Sequence, residues 1–171
     1  MSTKEKRYIK EQAYFNAMVD RCGETWWGTK TPAGKRRLQK RTELIFKQIK
    51  NNSSLILELG CGTGAITEYA AAESFFRRYL ACDISFSALK IAKEKLTNFS
   101  KIDFECVNLT YLSYKDNAFD LIIGSSILHH VSLKDTIKEV YRVLKIGGTI
   151  CFFEPNMANP QVFITEYSFY R

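Results

Sequence analysis

From Leu55 onward, apolar residues follow two alternating periodicities. Short continuous apolar runs read as buried strands, and the stretches between them repeat apolar residues every three or four positions, as helices do. Leu55–Leu59 is the first such run, followed by a helical stretch from Thr63 to about Glu73 that is rich in alanine. Tyr79–Asp83 reads as a second strand, and Ser85 is placed to cap a helix running to about Leu96, with Ala88, Leu89, Ile91, Ala92 and Leu96 on one face. Ile102–Val107 and Phe119–Gly124 are the third and fourth runs, the latter apolar on both faces as a central parallel strand requires. Ser132 is placed to cap a helix carrying Leu133, Ile137, Val140, Tyr141 and Leu144, with Lys145 in its last turn and Gly147-Gly148 ending it. Thr149–Glu154 is a fifth strand stopped by Pro155. This alternation predicts an α/β fold with a mostly parallel, Rossmann-like sheet covered by helices on both faces.

Upstream lie two helical stretches, about 5–20 and 35–50, joined by CGETWWGTKTPAG. Its glycines and proline make it a loop, and Trp26-Trp27 is a large apolar load for one, serving either to plug the sheet edge or to form a lid. Beyond Pro155 the tail is suited to one helix with Val162, Phe163 and Tyr167 inward.

Composition adds little to the fold but separates the two halves. An apolar content of 46% and a charged content of 25% fit an ordinary single globular domain of 171 residues. No stretch is apolar enough to span a bilayer and the N-terminus lacks a signal-peptide core, so the cytoplasm is the expected location. Five cysteines (Cys22, Cys61, Cys82, Cys106, Cys151), with no CxxC pair and no clustered histidine, predict neither a metal nor a disulfide framework. The net charge of +7 resides in residues 1–50, which hold 13 Lys or Arg against 5 Asp or Glu. The dense group Lys35, Arg36, Arg37, Lys40, Arg41 reads either as a docking face for an acidic ligand or RNA, or as the wet side of a helix with Leu38, Leu44, Ile45 and Ile49 inward. No stacking aromatics interleave with the charges, which favours the second reading.

In open parallel sheets, ligands bind beyond the carboxyl ends of the strands. The chemistry-bearing residues of this chain fall there: Glu58 and Gly60, Gly62, Gly64 after the first strand, Asp83 after the second, Asn108 after the third, Ser125 to His130 after the fourth, and Glu154 after the fifth. Gly60-x-Gly62-x-x-Ala65 with an acid 19 residues beyond Gly64 also satisfies a dinucleotide fingerprint. Glu58 separates the readings: a carboxylate at the pocket mouth would repel a pyrophosphate and favour a cofactor with a cationic end. The chain's two histidines, His129 and His130, follow the fourth strand, where an imidazole can serve as a base near neutral pH.

Four segments in order carry a family resemblance: ELGCGTG (Glu58–Gly64), CDIS (Cys82–Ser85), FDLIIGSSILHHV (Phe119–Val131) and YRVLKIGGTICFFEPN (Tyr141–Asn156). Together, residues 55–156 resemble the class I S-adenosylmethionine-dependent methyltransferases of the small-molecule type. The resemblance implies S-adenosyl-L-methionine as cofactor and S-adenosyl-L-homocysteine as product. It implies that Glu58, Gly60, Cys61, Gly62 and Gly64 surround the methionine and ribose, that Asp83 grips the ribose, and that Ile84 packs on the adenine. Asn108 stands where the family usually has an aspartate that accepts from the adenine amino group; its neighbour Leu109 would offer a backbone amide, and Ser125 completes the set. His129, then His130, are the expected bases.

Residues 1–50 are therefore read as a helical lid segment and 51–171 as the cofactor-binding domain. The family's sheet usually ends in two further strands, and the 16 residues after Pro155 are too few for them. A bare edge would favour pairing of two copies into a dimer. The expected function is methyl transfer to a small-molecule acceptor, with no nucleic acid and no metal. The alternatives are a non-catalytic cofactor-binding domain, an RNA methyltransferase and an NAD(P)-dependent oxidoreductase.

Overall fold

The computed structural model describes residues 3–25, 28–49, 54–73, 76–156 and 158. The expectations for Trp26 and Trp27, and for Val162, Phe163 and Tyr167, lie outside the described residues. Two helices, α1 (Thr3–Cys22) and α2 (Pro32–Phe46), precede the sheet. There follow β1 (Leu55–Leu59), α3 (Ala65–Glu73), β2 (Arg78–Asp83), α4 (Phe86–Lys95), β3 (Ile102–Cys106), β4 (Phe119–Ser125), α5 (Leu133–Val143) and β5 (Leu144–Phe153). The strand order is β3-β2-β1-β4-β5, and every pairing is parallel. The order reverses between β1 and β4, which puts the binding crevice of such a sheet at their carboxyl ends.

Alternation along β1 sorts the core into two layers. Ile56 faces α2, α3 and α4 with Tyr79, Ala81, Leu121 and Ile123, while Leu57 and Leu59 face α5 with Ile122, Val140 and Val143. Ile122 and Val140 are fully buried, each contributing about 1.5–3 kcal/mol. Glu58 shares the face of Ile56 and is therefore carried inward by the same period of two.

Local chemistry sets the helix ends. Thr31 caps α2 by accepting from Gly34 N, with Pro32 fixing the first turn. Ser85 caps α4 by accepting from Ala88 N. Ser132 occupies the N-cap position of α5 but makes no side-chain cap; its hydroxyl donates to Asp135 at 3.0 Å. The expected end of α5 at Gly147-Gly148 is corrected. The helix stops at Val143, because Leu144 already pairs with Phe119, and the ladder resumes at Thr149 opposite Leu121. Lys145 leaves the helix end altogether and holds both Asp120 oxygens at 2.8 Å, while Asp120 also accepts from Leu55 N. The buried face of α5 is Thr136, Val140 and Val143, whereas Leu133 and Tyr141, expected inward, are exposed.

On α2 the buried positions are Gly34, Thr42 and Ile45, with Leu38 and Ile49 partly buried, as the amphipathic reading requires; Leu44 is exposed. The β3–β4 connection carries no helix. Arg142 fastens it instead, donating to the carbonyls of Leu112 and Tyr114 and to the carboxylates of Asp116 and Glu139, at 2.6–2.7 Å. Arg142→Ala is expected to expose residues 107–118 to early proteolytic cleavage with the far-UV spectrum preserved, a result limited proteolysis would show.

Candidate active site

The glycine loop after β1 is tied to the end of β2. The amides of Gly60 and Cys61 donate to Cys82 O at 2.8 and 2.9 Å, and Gly62 N donates to Asp83 Oδ2 at 2.8 Å. Gly60 has φ +71°, and a Cβ there would meet Ile127 at 2.7 Å, so glycine is required twice over. Gly64 answers a different need: at φ +79°, a Cβ there would come within 3.1 Å of the Ala92 Cβ on α4, so its absence allows this close approach.

Asp83 Oδ1 accepts from Ser85 N at 2.8 Å, so each carboxylate oxygen takes one backbone amide. Burial raises its pKa, and the Ser85, Gly62 and Ile84 amides pull it back. Ionised, the group still has lone pairs beyond the two in use.

The expectation that Glu58 stands at the pocket mouth is corrected. It is 2% exposed, and its Oε2 accepts from Thr67 Oγ1 at 2.6 Å and Tyr79 OH at 2.7 Å. Burial lifts its pKa to about 7 against the lowering effect of these two hydroxyls, with Asp83 adding to the rise.

A cavity of about 280 Å³ opens beside the loop, and Gly60, Ile84, Asn108, Leu109 and His130 of the sequence-derived set line it. Asn108 Oδ1 is engaged by Thr110, accepting from its amide at 3.0 Å and its hydroxyl at 2.7 Å. The side chain thus offers its NH2 group, a donor, where an acceptor for the adenine amino group was expected. Gly62 and Asp83 are partly exposed but do not line the cavity, and Glu58, Cys61 and Gly64 are buried. Ser125 and His129 lie toward β4 and β5.

Three contributors to this region were given no role in the site from the sequence, although Glu154 was noted at the end of its strand. Arg7, Tyr8, Glu11 and Phe15 of α1 form one wall of the cavity. The helix is held there by Gln12 Nε2 donating to Ile84 O at 2.9 Å and by Asn16 Oδ1 accepting from Ser85 Oγ at 2.8 Å. Its signal was present: Tyr8, Gln12, Phe15, Val19 and Cys22 recur at helical spacing. The second is Arg41 of α2, whose Nη1 donates to Ser125 Oγ at 2.8 Å.

The third is Glu154. Its Oε1 accepts from the amides of Ile127 and Leu128, both at 3.0 Å, and its Oε2 lies 2.7 Å from His129 Nδ1. Burial works to raise the Glu154 pKa, but the hydrogen bonds from His129, Leu128 and Ile127 outweigh it and leave it below the usual carboxylate range. An ionised carboxylate only accepts, so His129 Nδ1 carries the proton and Nε2 is the basic nitrogen. The His130 ring lies beside His129, tilted by 45° with ring centroids 4.0 Å apart, and meets Phe15 edge-on at 5.3 Å. Burial, and then the charge of His129, push the His130 pKa down to about 4, so it is neutral at pH 7. Among the described residues no His/Cys/Asp/Glu group could hold a metal, and no helix is long and apolar enough to cross a membrane.

Comparison with known proteins places this geometry. The family profile described as "Methyltransferase domain" matches residues 57–152, from within β1 to within β5. The chain is 32% identical over 142 residues to a ubiquinone/menaquinone biosynthesis C-methyltransferase of Hydrogenovibrio crunogenus, covering 80% of this chain and 56% of that protein. It thus spans about half the length of the curated relatives it matches. Among solved structures, the N-methyltransferase NodS of Bradyrhizobium japonicum, in complex with S-adenosyl-L-homocysteine, superposes with a TM-score of 0.69 at 22% identity, over 81% of this chain and 72% of that one. Geranyl diphosphate C-methyltransferase of Streptomyces coelicolor gives a TM-score of 0.72 at 16% identity, over 96% of this chain and 72% of that one. With its glycine loop, Asp83 and nearly all of the five-stranded sheet inside the matched segment, the chain belongs to the methyltransferase domain family.

Proposed function

We propose that this chain is an S-adenosylmethionine-dependent methyltransferase domain that acts on a small molecule in the cytoplasm, with residues 1–50 forming part of the cover over its site. The observation that carries the reading is the joining of the Gly60–Gly62 loop to Asp83 beside a cavity walled by Ile84 and Leu109. These residues fit the cofactor. The Asp83 carboxylate has acceptor capacity left for two ribose hydroxyls, Ile84 and Leu109 offer apolar surface to a purine, and the bare loop admits close approach to backbone. The solved complexes of similar fold with S-adenosyl-L-homocysteine support the same choice.

Bound, S-adenosylmethionine supplies a methyl group on a positively charged sulfur, a good leaving group. The protein's task is therefore alignment, which can be worth about 7–11 kcal/mol. Gly60 and Ile127 line one side of the cavity and α1 walls another, so these residues would confine the bound cofactor. His129 is assigned as the proton acceptor for a hydroxyl or amine, because Glu154 fixes the proton on Nδ1 and leaves Nε2 basic. His130, with its pKa near 4, is too weak a base at neutral pH and serves as a hydrogen-bonding wall of the cavity.

Calorimetry with S-adenosylhomocysteine is expected to show micromolar binding; tighter binding of NADH would overturn the reading. Asp83→Ala is expected to weaken that binding ten- to a hundredfold, through loss of charged hydrogen bonds worth about 1.5–3 kcal/mol. Unchanged affinity at an unchanged melting temperature would refute the ribose assignment.

A further inference from the structure

Apolar side chains exposed one at a time are ordinary on any protein surface. Four of them here are gathered at one end of the sheet. Ile9 follows Tyr8 on α1, Phe86 opens α4 two residues past Ile84, Tyr111 follows Thr110, and Leu133 follows Ser132 at the start of α5. Tyr8, Ile84, Thr110 and Ser132 all line the cavity, so the four apolar residues frame it at the carboxyl end of the strands. Each of the four is at least half exposed. Lysines accompany them. Lys10 adjoins Ile9, Lys134 adjoins Leu133, and Lys90 lies one turn beyond Phe86. All three are exposed, and none has a carboxylate within ion-pair distance among the described residues. The two carboxylates of the cavity wall are engaged elsewhere: Glu11 with Arg7 at 2.8 Å, and Asp135 with the Ser132 hydroxyl at 3.0 Å.

Apolar side chains set beside long-stemmed, unpaired cations suit the boundary between lipid headgroups and acyl chains. The apolar parts sink there, the ammonium groups stay among the phosphates, and tyrosine is enriched at that depth. Protein interfaces instead favour arginine and deplete lysine, and a second copy would bring together two chains of net charge +7. We propose that the carboxyl end of the sheet is a docking face for an anionic lipid surface. Ile9, Phe86, Tyr111 and Leu133 enter the headgroup layer, and Lys10, Lys90 and Lys134 meet the phosphates. The chain lies on the bilayer without crossing it, a peripheral contact that a protein acting in the cytoplasm makes and releases. The face also accounts for Leu133, an apolar residue left in water at the first position of α5.

Sedimentation of the full chain with vesicles tests this. At low ionic strength, vesicles of phosphatidylcholine and phosphatidylglycerol in a roughly 2:1 ratio are expected to bind it about tenfold or more tightly than phosphatidylcholine alone. Phe86→Ser with Leu133→Ser, and separately Lys10→Glu with Lys134→Glu, are each expected to weaken anionic-vesicle binding about tenfold at an unchanged melting temperature. Ile146→Ser is the control. Ile146 is almost fully exposed too, but it stands at the opposite, amino end of the sheet, two residues past the pairing of Leu144 with Phe119, and its loss is expected to change nothing. No binding to anionic vesicles would overturn the proposal, as would an equal loss in Ile146→Ser. Full binding after removal of Phe86 and Leu133 would overturn it too, leaving a contact of charge alone, such as an acidic protein makes. The vesicle measurement is made without S-adenosylhomocysteine, so its failure is distinct from failure of the cofactor reading.

Discussion

Glu58→Gln is expected to stabilise the protein at about pH 8 by on the order of 3 kcal/mol, and by progressively less as the pH falls toward about 4. The side chain is buried and its pKa is raised from the ordinary carboxylate value to about 7 in the fold. An acid whose folded pKa lies above its unfolded value favours folding while it is protonated. That contribution is complete below the unfolded pKa, and it is lost as the pH climbs from there through the folded pKa. Glutamine keeps an oxygen to accept from Thr67 and Tyr79, and it never ionises. Urea denaturation of both proteins across this range checks the prediction. A constant difference between them would mean that Glu58 does not change its ionisation within the window.

Glu154→Gln is expected to reduce turnover by about 10²–10⁴-fold, with S-adenosylhomocysteine affinity largely kept. The amide oxygen can continue to accept from Ile127 and Leu128, so the turn that seats Ile127 on Gly60 stays in place. The amide nitrogen is a donor, however, and facing His129 Nδ1 it forces the ring proton to Nε2, the nitrogen required as the base. Nitrogen-15 NMR of the imidazole would report the tautomer directly. Reversal of the tautomer without loss of turnover would remove His129 from the role of base. Glu154→Ala, by contrast, strands two amides and should lower affinity and stability as well.

The strands of this fold were legible because parallel, doubly buried strands write themselves as continuous apolar runs. Leu55–Leu59 was placed to the residue, and the next three strands fall within a residue of their runs, whereas the fifth, expected at Thr149–Glu154, begins at Leu144. The C-terminal end of α5 was not legible. Gly147-Gly148 carries the usual stop signal, but the pairing of Leu144 with Phe119 and of Lys145 with Asp120 depends on a neighbouring strand that local sequence does not show. Glu58 was misplaced for a related reason. A carboxylate in a ligand-binding motif suggests contact with ligand, yet the period of two along β1 already turned its side chain toward α3. Asn108 was read as an acceptor because Thr110, two residues on, was not recognised as the group that would occupy its oxygen.

The half of the site supplied by distant segments was the hardest to see. Arg41 belonged to a run of charges that reads as a wet helix face, and that reading holds for its exposed neighbours. Only the packing of α2 onto the sheet turns this one guanidinium to the end of β4. Glu154 was noted as a strand end, and its grip on the histidine turn required the register of β5 against β4.

On the proposed cofactor reading, the fastening of α1 is expected to set the tempo of ligand exchange. Gln12 and Asn16 tie the helix to Ile84 O, Ser85 Oγ and Ser87 N, the backbone and cap of the β2–α4 turn, so the same turn that presents Ile84 to the cavity also holds its cover. On that reading, a bound nucleoside is expected to leave when that helix lifts, and Asn16→Ala is then expected to speed both the dissociation of S-adenosylhomocysteine and the hydrogen exchange of the α1 amides; faster amide exchange with unchanged dissociation would separate the two.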